Sequence, residues 1–272
     1  MRRIAILPTL LTLSNGVCGF ASIAYASKIG PKSTPEELHD HFVLSACLIL
    51  FAMLFDVLDG YAARLSKSAS DFGGQLDSLC DVISFGVAPA FLLLRLGMDW
   101  HESLVGQTVA MIAALYMVCA VLRLARFNLE NSPDPASHKR FKGLPSPAAA
   151  GCVVSLAILR STEWSANHPE IMTPFVNIWS PLGTLLAALL MVSRVSYPHI
   201  TKQVLRGRRS FRVLVQVVMV LFLVARLPAF ACFLFFWGYA LSGLLRHVLF
   251  RTARNTPPIA DLDGSKEPSI HP

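Results

Sequence analysis

The chain reads as a series of apolar runs separated by short polar links. Eight runs approach the ~20 residues that an α-helix needs to cross a bilayer. They cover 9–27, 42–62, 74–95, 104–124, 145–160, 175–193, 211–226 and 229–246, the fifth and seventh being short. The last two meet at Arg226-Leu227-Pro228-Ala229, a tight reversal that suits a helix-breaking proline. The pattern predicts an all-α fold, a polytopic transmembrane helical bundle of about eight spans. Residues 1–250 form the membrane domain. The final stretch, "TPPIADLDGSKEPSIHP", is polar and Pro-rich, so 251–272 are expected to be a disordered tail. No internal repeat is evident.

Composition agrees with the runs. The chain is 54% hydrophobic and 15% charged, where a soluble domain carries about 25% charged residues. If eight spans alternate and both termini share one side, 19 of the 24 Lys and Arg residues fall on that side. Only Lys28, Lys32, Arg95, Arg160 and Arg226 fall on the other. Positive charge concentrates in the cytoplasm, so the termini are expected there. The net charge of +7 then records topology and attraction to anionic headgroups. No soluble basic domain remains to bind nucleic acid. The start, "MRRIAILPTLLTLSNGVCGFASIAYAS", imitates a cleavable leader. Its apolar stretch is broken by Pro8, Thr12, Ser14, Asn15 and Gly16, so an uncleaved first span is expected.

The six cysteines all fall within predicted spans without a C-x-x-C pair, and read as small buried apolar side chains. The histidines lie mostly in loops or near span ends, and His39 and His41 have no matching carboxylate set. A zinc site is not expected.

Against this apolar background stands "DVLDGYAARLSKSASDFGGQLDSLCD", residues 56–81. Asp56 and Asp59 are three apart, and Asp77 and Asp81 four apart, so each pair shares a helix face. The first pair sits near the cytoplasmic end of the second span; the second pair lies one to two turns inside the third. A short polar link makes the two spans antiparallel neighbours and predicts four carboxylates converging on one shallow cytoplasmic cavity. Like charges that close drive one another to protonate unless they are paired. Arg64 offers one positive charge, whereas two divalent cations cancel four carboxylates. Oxygen ligands suit Mg²⁺, Mn²⁺ or Ca²⁺, and two such ions form the clamp used for displacement at phosphorus. Gly60 and Gly73 leave room for a bulky phosphorylated substrate, and Ala63 keeps the same face open. Intramembrane acids also mark ion and proton pathways, so the residues alone leave catalysis and transport both open.

The spacing Asp56-x-x-Asp59-Gly60-x-x-Ala63-Arg64-x8-Gly73-x-x-x-Asp77-x-x-x-Asp81 resembles, position for position, the signature of the CDP-alcohol phosphatidyltransferase family. Three further stretches resemble its phosphatidylserine synthase branch: "PTLLTLSNGVCGF", "LRLARFN" (122–128) and "FKGLPSPAAAG" (141–151). The likeness covers roughly residues 5–160. It implies a six-span core around a bimetal site, often in a homodimer, that exchanges the CMP of a CDP-linked lipid for an alcohol. For this branch the substrates are CDP-diacylglycerol and L-serine, and the products phosphatidylserine and CMP. Carried over, Asp56, Asp59, Asp77 and Asp81 hold two divalent cations, Mg²⁺ or Mn²⁺, and Asp81 is also the general base. Gly60, Ala63, Arg64 and Gly73 line the site for the cytidine diphosphate portion.

Arg123 and Arg126 share one face at the end of the fourth span. They anchor the helix among headgroups, or hold a substrate phosphate or the serine carboxylate. The "GLPSP" turn shapes the acceptor pocket, or simply starts the fifth span with Pro147 in its first turn. Thr12 and Asn15 are expected to form interhelical hydrogen bonds. Two other functions compete. One keeps the chemistry with another acceptor, glycerol 3-phosphate or inositol phosphate. The other is a divalent-cation transporter, which would want acidic residues continuing across the membrane; the spans beyond the rim carry no second acidic cluster.

Overall fold

A computed structural model describes residues 6–30, 32–65, 71–97, 104–130, 143–193, 195 and 227–254. These residues form helices α1 (Ile6–Ser27), α2 (Pro35–Leu65), α3 (Asp71–Asp81), α4 (Ala88–Leu96), α5 (Leu104–Glu130), α6 (Ser146–Arg160), α7 (Glu163–Asn167), α8 (Pro169–Val192) and α9 (Pro228–Arg254). A π-helical turn, Val82–Val87, joins α3 to α4 in one continuous span. Among the described residues six spans are long and apolar enough to cross a bilayer, and the 15-residue α6 is a seventh, shorter apolar helix. The chain therefore folds as an all-α, polytopic membrane bundle. The expected seventh run, 211–226, lies outside the described residues, as do 255–272; α9 runs to Arg254, four residues into the segment expected as tail.

The helices α1, α2, α3 and α8 all start three or more residues earlier than the apolar pattern predicts. The second span begins at Pro35 rather than 42 because Thr34 and Glu37 form a reciprocal cap: Thr34 N–H donates to Glu37 Oε2 at 2.9 Å, and Glu37 N–H to Thr34 Oγ1 at 3.3 Å. The third begins at Asp71, ahead of residue 74 where its apolar run starts.

The helix that looked too short to span is the hub. Along α6 all but four of the fifteen residues are buried, and it packs against α2, α4, α5, α7, α8, α9 and the π turn. Surrounded by protein, it need not match the ~30 Å hydrocarbon thickness. Its entrance is tied to the end of α8. Gly143 and Leu144 N–H donate to Val195 and Leu190 carbonyls at 2.8 and 2.9 Å. Gly143 has φ +97°, and a Cβ there would lie 2.2 Å from the Met191 carbonyl oxygen, so only glycine fits. "GLPSP" therefore does start the fifth span, with Pro147 in its first turn.

Helix α1 is polar inside and apolar outside. Thr12, Asn15, Gly16, Gly19, Ser22 and Ala26 are buried, while Leu10, Leu13, Val17 and Phe20 are exposed. Lipid makes that arrangement favourable, because the outer face meets hydrocarbon and the inner face finds polar partners and close contacts. Ser22 hydrogen-bonds Ser45 on α2 at 2.8 Å.

The π turn sits directly beyond Asp81 and has an identifiable support. Pro89 has no N–H, so the turn before it is short of one helical donor. The fully buried Tyr116 of α5 supplies one, its hydroxyl donating to Phe85 O at 3.0 Å. Tyr116→Phe should therefore destabilise the protein by about 1–3 kcal/mol, the cost of an orphaned buried carbonyl. Adding Pro89→Ala, which returns the missing donor, should recover part of the loss. Unfolding titrations in detergent micelles check both; a silent Tyr116→Phe would remove this support.

Candidate active site

Helices α2 and α3 bring three of the four aspartates together. One carboxylate oxygen from each of Asp56, Asp59 and Asp77 lies within 4.8 Å of the others. At that separation each charged pair repels by about 3 kcal/mol even at an effective dielectric of ~20. The fourth, Asp81, stands outside this trio on the last turn of α3, so the expected convergence of all four is met by three, with one held to the side. Asp59 and Asp81 are buried; Asp56 and Asp77 are half-buried.

Helix α1 holds the two buried acids. Thr12 Oγ1 donates to Asp59 Oδ2 at 2.8 Å, and Asn15 Nδ2 donates to Asp81 Oδ1 at 2.9 Å. Thr12 and Asn15 do form interhelical hydrogen bonds, and their partners are the signature acids themselves. The sequence carried a signal for this: two polar side chains three apart on an otherwise apolar span.

Arg123, half-buried on α5, lies within electrostatic reach of Asp56 and Asp81. Its guanidinium also donates to Ser146 Oγ at the start of α6. Arg126 is half-buried one turn further along. Asn128, in the same quoted stretch, exchanges hydrogen bonds with Ser78 of α3 at 2.9 and 3.2 Å and ties the two helix ends together. Nothing in the sequence pattern singled out Ser78 or Ser146.

Gly60 fronts open space, since a Cβ there would meet nothing within 4 Å. Ala63 and Gly73 are half-buried, and Arg64 lies in the last turn of α2. Gly60 thus differs from Gly19 of α1, where a Cβ would lie 2.4 Å from Ser84 Oγ.

The donor set suits a hard divalent cation. It is built of carboxylate oxygens without sulfur or imidazole, and Asp77 Oδ1 is buried with no hydrogen-bond partner. A buried acceptor left without a donor is costly, and a cation beside it removes the cost.

The model of the family described as CDP-alcohol phosphatidyltransferase matches residues 5–192, extending past the 5–160 that carry the motif-level likeness. A "CDP-diacylglycerol--serine O-phosphatidyltransferase" of Helicobacter pylori (strain 26695) is 33% identical over 243 residues, which cover 88% of this chain and 90% of that protein. Its namesake in Bacillus subtilis (strain 168) is 31% identical over 207 residues, 76% of this chain and 97% of that one. An "archaetidylserine synthase" of Methanothermobacter thermautotrophicus is 32% identical over 197 residues, 71% of this chain and 70% of that one.

The two glycines give a direct check on which space is open. Gly60→Ala should keep or slightly raise the unfolding temperature in detergent, since alanine is the better helix former. Gly19→Ala should lower it by several degrees. Equal losses would mean that Gly60 packs against protein.

Proposed function

We infer the reaction from two facts together: the chain belongs to the CDP-alcohol phosphatidyltransferase family, and three of its four signature aspartates meet between α2 and α3. It is an integral-membrane enzyme of phospholipid biosynthesis. It transfers the phosphatidyl group of CDP-diacylglycerol to the hydroxyl of L-serine, giving phosphatidylserine and CMP. The observation that carries this reading is the trio Asp56, Asp59 and Asp77 in a chain whose long relatives bear that activity as their name.

Asp56, Asp59 and Asp77, joined by Asp81, hold two divalent cations, Mg²⁺ or Mn²⁺. When bound, these neutralise the diphosphate and the departing phosphate of CMP. Asp81 is the general base. It stands beside the trio, oriented by Asn15, and takes the proton of the serine hydroxyl, a poor nucleophile at neutral pH. The serine oxygen forms a bond to the phosphorus that carries diacylglycerol. The bond from that phosphorus to the bridging oxygen breaks, and CMP leaves with the electron pair. Gly60, Ala63, Arg64 and Gly73 line the cytidine diphosphate portion, with Gly60 supported by the open space in front of it.

Arg123 holds the serine carboxylate, since it lies within reach of Asp81 and is braced by Ser146; its fork suits a carboxylate. Arg126 serves a phosphate further out. The exposed Val57, Leu58 and Tyr61 around the acids let the acyl chains stay in lipid while the headgroup reaches the site. The lysine and arginine asymmetry supports a cytoplasmic site and termini in a bacterial inner membrane. The homodimer implied by the family likeness belongs to the same reading.

Purified protein in detergent with CDP-diacylglycerol and Mn²⁺ should release CMP when serine is added. Release with glycerol 3-phosphate or inositol phosphate and none with serine would reassign the acceptor. Asp81→Asn should lower turnover by about 10²–10⁴-fold, the worth of a general base, in protein that still elutes as folded. Near-normal turnover would exclude Asp81 as the base.

A further inference from the structure

Asn15 is fully buried in α1, and the two ends of its amide have different fates. Nδ2 donates to Asp81 Oδ1. With Nδ2 given to Asp81, Oδ1 is the end of the amide left over. That oxygen is buried and has no hydrogen-bond partner. Asp77 Oδ1, one turn before Asp81 on α3, is in the same state. Both oxygens are closed to water and offered no donor, one on the residue that bonds Asp81 and one on the residue a turn before it. A cation at a ligand distance of about 2.0–2.6 Å sits closer to oxygen than a water can, so a space shaped for an ion leaves its ligands in this condition.

We propose that Asn15 supplies a neutral oxygen ligand to the cation held by the aspartates, while its amide nitrogen orients Asp81. The inference rests on the metal-site reading above. The placement is firm. Ser84 Oγ donates to the Asn15 backbone carbonyl at 2.9 Å. Next to Asn15, a Cβ on Gly16 would lie 3.0 Å from Cys80 Sγ, so α1 is seated against the third span at this level. One turn earlier Thr12 reaches Asp59, so a single face of α1 confronts both acid-bearing spans.

Calorimetric titration of the detergent-solubilised protein with Mn²⁺, without substrate, tests the assignment. Asn15→Ala removes the oxygen and should weaken Mn²⁺ binding about 10- to 100-fold, the usual span for loss of a supporting group. Asn15→Asp is nearly isosteric, keeps an oxygen and gives up only the donor to Asp81. It should bind Mn²⁺ at least as tightly as the parent protein while its turnover falls. If Asn15 merely positions Asp81, both variants lose affinity alike, which overturns the ligand role; so does parental affinity in Asn15→Ala. Should Asn15→Ala not fold, Asn15→Asp decides alone, since affinity below the parent's overturns the proposal. No Mn²⁺ binding by the parent protein would sink the metal-site reading itself, a result distinct from either failure of Asn15.

Discussion

Carboxylates gathered inside an apolar bundle repel one another and resist leaving water, and much of the local architecture follows from that difficulty. Three of them meet across α2 and α3. Their surroundings are arranged to make the meeting tolerable: a hydroxyl on Asp59, an amide on Asp81, and one guanidinium within reach of Asp56 and Asp81. These aids neutralise little charge. The remainder asks for counterions, and the oxygen-only donor set specifies hard ones. A cluster able to hold a metal is thus a consequence of the fold rather than an addition to it.

The same difficulty explains why α1 is built inside out. In water, a helix with Thr12, Asn15 and Ser22 inward and Leu13, Val17 and Phe20 outward would be wrongly faced. In lipid the outer residues are at home, and the inner ones gain partners that hydrocarbon cannot supply. Glycines at 16 and 19 let the backbone come close enough for those short side chains to reach. Helix α6 solves a different problem. It fills the centre with small residues so that longer neighbours can converge at its first turn, where Ser146 meets Arg123.

How much of this was legible depended on whether the information was periodic. Spacings of three and four on apolar helices were enough to pair the aspartates, and the fixed eight-residue signature named the family. Helix α2's early start was also readable, since Thr34 and Glu37 stand at capping-box spacing ahead of the apolar run. Asp81's separation from the trio was not, because it depends on contacts between distant segments, Asn15 with Asp81 and Tyr116 with Phe85. Pro89 inside an apolar run was the local clue to an irregular third span. The choice of Tyr116 as the group that satisfies the Phe85 carbonyl has no counterpart in spacing. Likewise α6's centrality is a property of what surrounds it, which the length of its own run cannot report.

The π-helical turn divides the third span into two parts that share an axis but not a phase. A residue added to an α-helix turns everything beyond it by about 100°, and the wider turn accommodates such an excess between Asp81 and Ala88. The acid-bearing half can thereby bring Asp77 to the carboxylates of α2 while the half from Ala88 to Leu96 packs against α1, α5 and α6. Natural variation that reshapes the buried anchor is insulated from the reacting end, so this segment can be tuned for a different bilayer without retuning its chemistry.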